Sequence, residues 1–422
     1  MKVTTTDGRD HFVAWAEDEE RLRDVSRAED PMIAGCNARG YFELRERPQR
    51  IQVEDIRVDQ ERSLLSLVVA SPWFGTDSGR DEAPRIVIAN GRSILEATTT
   101  ERVGPGGVFR VTFGLRQQRW GREVPVPETG MYTLRLLDTT PGTPATGFWI
   151  PVSLELEDRL PLELHLMDAN ISLSRTPGAG ALAVQFRPPF RTEERGRPMQ
   201  SRLQRTIPSL SASPVARGTV LFESFAGKTI GDSGLGIFRE LRRAGYDAPL
   251  HWVVRDRSQA VPDGASPVLM YSREYYELLH TAEYLVNNNN FPHYYRKNPR
   301  QVYLQTWHGT PLKKIGNDIP SSGLSLTYLS LMRREARYWD VLLAQNDFSS
   351  QVLPRALGFA GEALTAGYPR NDALHGDAAE RRRGGGTPAA RHRRGSAGGP
   401  VRTDMEGQRP QCVRLIRAGE SF

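Results

Sequence analysis

Short apolar segments separated by turn-forming residues run through the chain from about residue 50 to residue 190. The segments are rich in Val, Ile, Leu and Phe, and turns such as GPGG and PETG lie between them. Short strands with turn signals at this spacing are typical of a β-sandwich. The predicted strands are IQVEDIRV, SLLSLVVA, RIVIANG, GVFRVTFGL, MYTLRLLD, GFWIPVSLEL, LELHLMD and ALAVQF. We assign a β-sandwich-like domain to residues 49–190 and interpret it as a spacer or docking module.

From residue 218 the pattern changes to strands that alternate with amphipathic helices. The buried-type strand GTVLFESF is followed by the helix GLGIFRELRRAG, and the alternation continues to the strand EALTAGYP. This order predicts an α/β, Rossmann-like domain over residues 218–376, with helices on both faces of a parallel sheet. Ligands of such sheets bind beyond the carboxyl ends of the strands. The loops AGKTIGDS, NNNN, WHGT and YPRND each follow a predicted strand, so we expect them at one edge.

The remaining segments carry weaker patterns. Residues 1–48 are mixed and are assigned to a partial or irregular N-terminal segment. Residues 191–217 are polar with scattered Pro and Ser, which predicts a linker. Residues 377–422 are rich in Arg, Gly and Pro without periodicity, which predicts a disordered tail. The fold class is therefore multidomain, with an all-β region before an α/β domain.

The most informative stretch is QVYLQTWHGTPLKKIGND, residues 301–318. A strand with period-two alternation runs into His308, Gly309 and Thr310, and Lys313 and Lys314 follow. The chain has only these two lysines and three others among its 56 Lys and Arg residues, so adjacent lysines depart from its general preference for arginine. Such a loop would suit a phosphate beside a proton-transfer site. The alternative is a loop histidine bonded to backbone.

The other loops allow two interpretations each. Asp232 and Ser233 either cap a helix or bind an anion at its N-terminus, and the Walker spacing of a P-loop is missing. The asparagines 287–290, Asn289 among them, either form a turn with Asx hydrogen bonds or bind sugar or glycerol. Arg370 either pairs with Asp372 or contacts phosphate.

Composition narrows the classes of function. Hydrophobic residues make up 38% of the chain, no apolar run reaches the length of a membrane span, and the N-terminus lacks the apolar core of a signal peptide. We therefore expect a cytoplasmic protein. Two distant cysteines give neither a disulfide framework nor a metal-binding spacing. The net charge of +6 would suit a polyanionic acceptor at a membrane surface, and no aromatic-and-basic interleaving indicates nucleic acid.

QTWHGTPLKKIG closely resembles the signature of the CDP-glycerol glycerophosphotransferases, the teichoic-acid polymerases of bacterial envelopes. FESFAGKTIGDS, EYLVNNNNFPHYY and GYPRND match further motifs of that family in the expected order. The resemblance covers roughly residues 218–376. It implies the glycosyltransferase-B (GT-B) arrangement of two facing nucleotide-fold domains, of which this segment is the first half.

By this resemblance, the reaction moves glycerol phosphate from CDP-glycerol to a lipid-linked poly(glycerol phosphate) chain and releases CMP. The resemblance implies that His308 is the base or the phosphate-stabilising imidazole. The substrate- and phosphate-binding candidates are Gly309, Thr310, Lys313, Lys314, Asp232, Ser233, Asn289, Arg370, Asn371 and Asp372. No acidic metal-binding motif stands out, so we expect no metal and no cofactor besides the donor. The resemblance also places the protein at the inner face of the plasma membrane.

The C-terminal tail has the features of an out-of-frame translation. Residues 383–422 contain no Tyr, Trp or Lys. Codons permitted for Gly398 to Gln408, read one nucleotide forward, can encode VVLYAPTWRDN, and Met followed by Glu forces the Trp codon. That product resembles the start of the family's second nucleotide-binding domain. We therefore expect that a frameshift near residues 381–384 removed the second domain and that the chain is inactive alone.

Two other functions fit the same motifs. The first is another GT-B transferase that uses CDP-ribitol or a nucleotide sugar. The second is a non-catalytic module that binds the acceptor or the envelope through the β-domain and the half-enzyme.

Overall fold

The computed structural model describes residues 51–71, 83–104, 107–119, 122–124, 127–137, 147–210, 213–320 and 325–374, together with the backbone of four short N-terminal strands. The predicted disordered tail and its proposed change of reading frame lie outside the described residues. The described residues divide into two compact units, one formed by residues 1–118 and 125–187 and the other by residues 119–124 and 188–422.

The first unit is built from antiparallel strands. In chain order they are β1 (Lys2–Thr4), β2 (Asp10–Phe12), β3 (Met32–Cys36), β4 (Phe42–Glu46), β5 (Gln52–Asp59), β6 (Leu64–Ala70), β7 (Arg85–Ala89), β8 (Ile94–Glu96), β9 (Thr99–Gly104), β10 (Val108–Gly114), β11 (Gln117–Arg119), β12 (Arg122–Val124), β13 (Gly130–Leu137), β14 (Phe148–Trp149), β15 (Leu162–His165), β16 (Asn170–Arg175) and β17 (Leu182–Arg187). Strands β11 and β12 pair with each other in a separate two-stranded sheet, and β12 and the last residue of β11 belong to the second unit.

Two sheets of this unit share one core. One sheet has the order β5-β6-β10-β9, and the other has the order β15-β16-β17-β13-β7-β8 with β14 paired to β13. Alternate residues of β6 and β13 are buried, and the inward side chains of both sheets form a single apolar cluster. Two antiparallel sheets packed on a common core are the sandwich that the turn spacing predicts.

Two details of the β region differ from the sequence prediction. Strand β16 was not predicted, because four of the six residues in its sequence NISLSR are polar, yet the strand is paired on both edges. The segment GFWIPVSLEL was predicted as one strand but contains the one-turn helix α1 (Leu154–Glu157). Ser153 caps this helix by accepting a hydrogen bond from the Leu156 amide, 3.2 Å away, so local capping outweighs the apolar run.

The second unit begins with a helix where the sequence predicts a linker. After a 3-10 turn at Thr192–Glu194, helix α2 (Gly196–Leu210) carries Met199 and Leu203 on one face. Leu203 is buried in the core of this unit. The scattered prolines concealed this helix, since Pro198 lies in its first turn, where proline is tolerated.

The rest of this unit is a seven-stranded sheet covered by helices. Its elements are β18 (Ala216–Glu223), α3 (Asp232–Arg243), β19 (Leu250–Val254), β20 (Ser266–Leu269), α4 (Arg273–Thr281), β21 (Ala282–Asn287), β22 (Val302–Gln305), α5 (Leu326–Ala336), β23 (Val341–Ala344), α6 (Asp347–Leu357) and β24 (Ala363–Thr365), with 3-10 turns at Gly316–Asp318 and Pro369–Leu374. The strand order is β20-β19-β18-β21-β22-β23-β24, and all pairs are parallel.

This strand order places a switch point between β18 and β21. From there the chain winds outward in both directions, so the loops after these strands diverge and leave a crevice at the carboxyl edge. The two faces of the sheet bury separate apolar clusters, one rich in tyrosine and the other built around Phe222, Phe238 and Trp252. The parallel α/β sheet predicted from the sequence is therefore confirmed.

Within the described residues, no helix is long and apolar enough to cross a membrane.

Candidate functional site

The predicted site loops all leave the carboxyl edge of the parallel sheet. Residues 224–231 follow β18, the asparagines 288–290 follow β21, and the loop with His308 follows β22. Several residues other than glycine in these loops have a positive φ, namely Phe225 (49°), Ala226 (55°), Asp232 (57°) and Trp307 (51°). Such conformations are costly for side chains with a Cβ and concentrate at functional loops.

His308 is held by one ring nitrogen. Its Nδ1 lies 2.7 Å from the carbonyl oxygen of Asn288. A carbonyl can only accept, so Nδ1 carries the proton, and Nε2 of the neutral ring keeps a lone pair. The ring stacks on Trp307 at 4.5 Å between centroids, and Phe225 lies 5.8 Å away. His308 itself is exposed, so its free nitrogen can reach a substrate.

Asp232 joins three of the loops. Its side chain is 3% exposed. Its Oδ1 accepts from the Ser233 amide (2.7 Å) and from Nη1 of Arg370 (3.1 Å), and its Oδ2 accepts from Nδ2 of Asn288 (2.8 Å). Ser233 is fully buried in the first turn of α3. Both predicted phosphate ligands are therefore turned into the protein, and a buried carboxylate would repel an anion.

Arg370 connects this carboxylate to the His308 loop. Its Nη1 also donates to the carbonyl oxygen of His308 at 2.9 Å. Its guanidinium carbon lies 4.7 Å from the centre of the Tyr368 ring, and its side chain is 34% exposed. Arg370 is thus partnered by Asp232, and a part of its guanidinium remains open to solvent.

The asparagine segment forms a turn, as one of the two interpretations predicts. Oδ1 of Asn287 accepts from the Asn289 amide at 2.9 Å, which is an Asx turn. Asn288 is buried, and its Oδ1 accepts from the Phe225 amide at 2.8 Å. The carbonyl oxygen of Asn289 accepts from Nε2 of Gln305 at 2.9 Å, which ties the turn to β22. Asn289 itself is half-buried.

The residues after His308 are mostly exposed. The hydroxyl of Thr310 donates to Oε1 of Gln345 at 2.7 Å and so links the loops after β22 and β23. Lys313 and Lys314 are exposed beside Leu312, which is 91% exposed. A Cβ on Gly309 would meet no atom within 4 Å, so its small size leaves open space beside His308.

The last predicted residues lie in the turn after β24. The Asn371 amide donates to the carbonyl oxygen of Tyr368 at 2.8 Å, and Asp372 is exposed. The described part of the chain has no group of three or more His, Cys, Asp or Glu side chains that could hold a metal ion.

The position of this turn depends on Gly236, in the second turn of α3. A Cβ there would lie 2.4 Å from the carbonyl oxygen of Pro369, so we expect Gly236→Ala to force the turn with Arg370 away from the helix. Overpacking of this kind costs about 1–3 kcal/mol. Thermal unfolding of the purified variant measures the loss.

Gly231→Ala is the matched control, because a Cβ at residue 231 would meet nothing within 4 Å. Gly231 precedes the same helix and has an extended φ of −177°. Equal melting temperatures for the two variants would contradict the predicted clash.

A buried acidic pair beneath the site was not found from the sequence. Glu223 ends β18, and burial together with the charge of Glu335 on α5 raises its pKa to about 8. Burial also raises the pKa of Glu335 to about 7. Glu335 accepts from the Phe291 amide (3.1 Å) and the Tyr303 hydroxyl (3.3 Å). Because Phe291 directly follows the asparagine turn, Glu335 helps to hold that turn in place. The only signal for Glu223 was an acid at the end of an otherwise apolar strand.

Comparison with known proteins finds similarity in the second unit. The family model described as CDP-Glycerol:Poly(glycerophosphate) glycerophosphotransferase matches residues 206–386. The teichoic acid poly(glycerol phosphate) polymerase of Bacillus subtilis strain 168 is 35% identical over 173 residues, which are 40% of this chain and 23% of that protein. The teichoic acid glycerol-phosphate transferase of Staphylococcus aureus is 33% identical over 165 residues, 37% of this chain and 42% of that protein.

A solved structure of the wall teichoic acid polymerase TagF is also similar, with 31% identity and a TM-score of 0.39 over 42% of this chain and 45% of that chain. The chain spans less than half the length of the curated relatives it matches. Within the matched segment lie the four loops described above, including His308, Lys313, Lys314 and Arg370. Residues 206–386 are therefore similar to the CDP-glycerol:poly(glycerophosphate) glycerophosphotransferase family, and the relatives that match them are named as a polymerase and a transferase of teichoic acid.

Proposed function

We propose that the second unit handles phosphate in the transfer of glycerol phosphate from CDP-glycerol to a lipid-linked poly(glycerol phosphate) acceptor. The observation that carries the proposal is the state of His308, whose Nδ1 is tied to a carbonyl while Nε2 stays free at the ligand edge of the sheet. The family match and the names of the relatives support the choice of substrates.

The proposed reaction is a displacement at phosphorus. The terminal hydroxyl of the acceptor forms a new oxygen–phosphorus bond with the glycerol phosphate group, and the bond from that phosphorus to the oxygen of CMP breaks. Nε2 of His308 takes the proton of the hydroxyl, and CMP leaves with the bonding electrons. Such a reaction needs a positioned base and cations around the phosphoryl oxygens. Arg370 contacts the carbonyl of His308 directly, and Lys313 and Lys314 follow His308 in the same loop of the sequence.

The wider setting is part of the same proposal. The parallel sheet would be one of two facing nucleotide-fold domains, as in the GT-B arrangement, with the donor between them. The acceptor is carried by a lipid, so the protein would work at the inner face of the plasma membrane without spanning it. The exposed pair Lys313 and Lys314 would then meet phosphate groups of the growing polymer.

A transfer assay tests the function and the donor. Residues 1–374 are joined to the part of the Bacillus subtilis polymerase that follows its matched segment. The chimera is supplied with a lipid-linked glycerol phosphate primer and with CDP-glycerol, CDP-ribitol or UDP-glucose. Polymer growth with CDP-glycerol supports the proposal, whereas growth only with another donor replaces it. A chimera that binds the primer but transfers nothing from any donor favours an acceptor-binding module.

We expect the double variant Lys313→Ala, Lys314→Ala to bind short poly(glycerol phosphate) about tenfold more weakly than the parent chain. Each exposed charge contributes up to about 1 kcal/mol, and the loss should shrink as salt is added. Isothermal titration of the 422-residue chain at low and high salt measures both effects.

Lys297→Ala is the control for this prediction. Lys297 pairs with Asp340 just before β22, at the amino edge of the sheet and away from the ligand loops. If Lys297→Ala weakens polymer binding as much as the double variant does, the overall positive charge of the chain attracts the polymer, and the His308 loop has no special role in binding.

A further inference from the structure

The side chains around His308 form a closed ring of hydrogen bonds. Nη1 of Arg370 bonds both Oδ1 of Asp232 (3.1 Å) and the carbonyl oxygen of His308 (2.9 Å). The imidazole of His308 donates from Nδ1 to the carbonyl oxygen of Asn288 (2.7 Å). Nδ2 of Asn288 returns to Oδ2 of Asp232 (2.8 Å). The ring therefore reaches His308 from two sides, once at its backbone and once at its imidazole.

We propose that Asp232 is a positioning residue, which fixes the orientation and the tautomer of His308 through Arg370 and Asn288. The role of a positioned His308 as a base rests on the proposed function. The hydrogen bonds that position it do not depend on the reaction. Asp232 bonds to Ser233, Asn288 and Arg370 instead of the imidazole, and its side chain is buried away from a ligand, so it is not a catalytic residue.

The burial of Asp232 supports a positioning role. A carboxylate that is 3% exposed is stabilised only where donors surround it, and the Ser233 amide, Asn288 and Arg370 supply three. Its φ of 57° is a conformation that Asp tolerates better than most residues. This backbone places both carboxylate oxygens between the loops after β21 and β24 instead of leaving the side chain at the open end of α3.

The two arms of the ring have separate effects. The Arg370 arm holds the carbonyl of His308, and so fixes the backbone next to the positive φ of Trp307. The Asn288 arm orients the backbone carbonyl of Asn288, which accepts the hydrogen bond from Nδ1 of His308. Oδ1 of Asn288 in turn accepts a hydrogen bond from the Phe225 amide. An imidazole with a fixed Nδ1 proton presents its lone pair at Nε2 only, as a general base requires.

Nuclear magnetic resonance of the histidine side chains tests the proposal without any turnover. The 422-residue chain is labelled with ¹⁵N at its eight histidines, and His308 is assigned by its loss in His308→Gln. In the parent chain we expect the neutral ring of His308 to be in the Nδ1–H form. In Asp232→Asn the amide nitrogen cannot accept, so we expect the ratio of the Nδ1–H to the Nε2–H form to fall about tenfold, as for the loss of a hydrogen bond to a charged group.

Asp318→Asn is the control, because Asp318 also pairs with an arginine, Arg355 at 2.8 Å, and this pair includes none of the residues of the hydrogen-bond ring around His308. Its His308 signals should equal those of the parent chain. If Asp232→Asn does not fold, Arg370→Gln breaks the ring from its more exposed side and should also shift the ratio. An unchanged His308 tautomer in the folded variant, with the other histidines also unchanged, overturns the proposal. If Asp232→Asn changes the tautomer but the chimera transfers nothing, the positioning of His308 is supported and the proposed reaction is not.

Discussion

Replacing His308 with alanine in the transfer-competent chimera is expected to lower the rate of glycerol phosphate transfer by about 100- to 10,000-fold, the usual contribution of a general base. The reason is the free Nε2, which the hydrogen bond from Nδ1 to the Asn288 carbonyl leaves unprotonated in the neutral ring. Initial rates with labelled CDP-glycerol at saturating primer measure the loss. We expect it in kcat, because binding of the phosphate groups falls mainly to the cations.

The control for this change is His293→Ala, since His293 is an exposed histidine of the same unit whose ring contacts Tyr294. Its rate should stay within about twofold of the parent, as expected for surface substitutions. A loss of less than tenfold in His308→Ala would remove His308 from the role of base. It would leave the loop as a binding element only.

Glu223→Gln is expected to stabilise the second unit in alkaline solution. Burial and the charge of Glu335 raise the pKa of Glu223 from the ordinary 4.5 to about 8. The folded state therefore binds the proton of Glu223 more tightly than the unfolded state does. This tighter binding stabilises the folded parent protein fully below about pH 4.5, and the stabilisation is lost as the pH rises toward 8. One pKa unit corresponds to about 1.4 kcal/mol, so the neutral amide should be more stable than the parent by about 2 kcal/mol or more at pH 9.

Thermal unfolding between pH 5 and pH 9 measures this difference. At pH 5 the parent carboxyl is neutral, so the two proteins should melt at similar temperatures, and the variant should gain as the pH rises. Glu277→Gln is the control, because Glu277 lies on the surface of α4 with a side chain that is 51% exposed. Parallel pH curves for the parent and Glu223→Gln would show that the carboxyl at residue 223 does not titrate in this range.

The sequence predicted the second unit more completely than the first. Strand β23 is apolar throughout and β18 carries the apolar run Val220–Phe222, and these strands alternate with helices that have clear caps, such as Asn346 before α6. These signals are local and agree with the tertiary structure. Strand β16 and helix α2 were missed because their status depends on neighbours far along the chain, a paired strand on each side in one case and the core around Leu203 in the other.

The candidate site was predicted in its loops but not in its contacts. The order of strands and loops in the sequence predicted that His308 and Arg370 lie at one edge of the sheet. In the structure, Nη1 of Arg370 donates to the carbonyl oxygen of His308 at 2.9 Å. The burial of Asp232 and Ser233 could not be read from the sequence, because polar residues after a glycine at a strand end also fit an exposed anion site. Asn288 and Glu335 were not singled out, since their roles depend on atoms brought together from β21, β22 and α5.

Glu223, Asn287 and Gln305 stand side by side at the last positions of three adjacent parallel strands. They share the face of the sheet with Leu221, Leu285 and Tyr303, and the opposite face buries an apolar cluster that includes Phe222, Val286 and Leu304. A slip of any one strand by a single residue would drive a carboxyl or an amide into that hydrocarbon layer, where it has no polar neighbour. The row therefore favours one alignment of the central strands over the alignments shifted by a single residue.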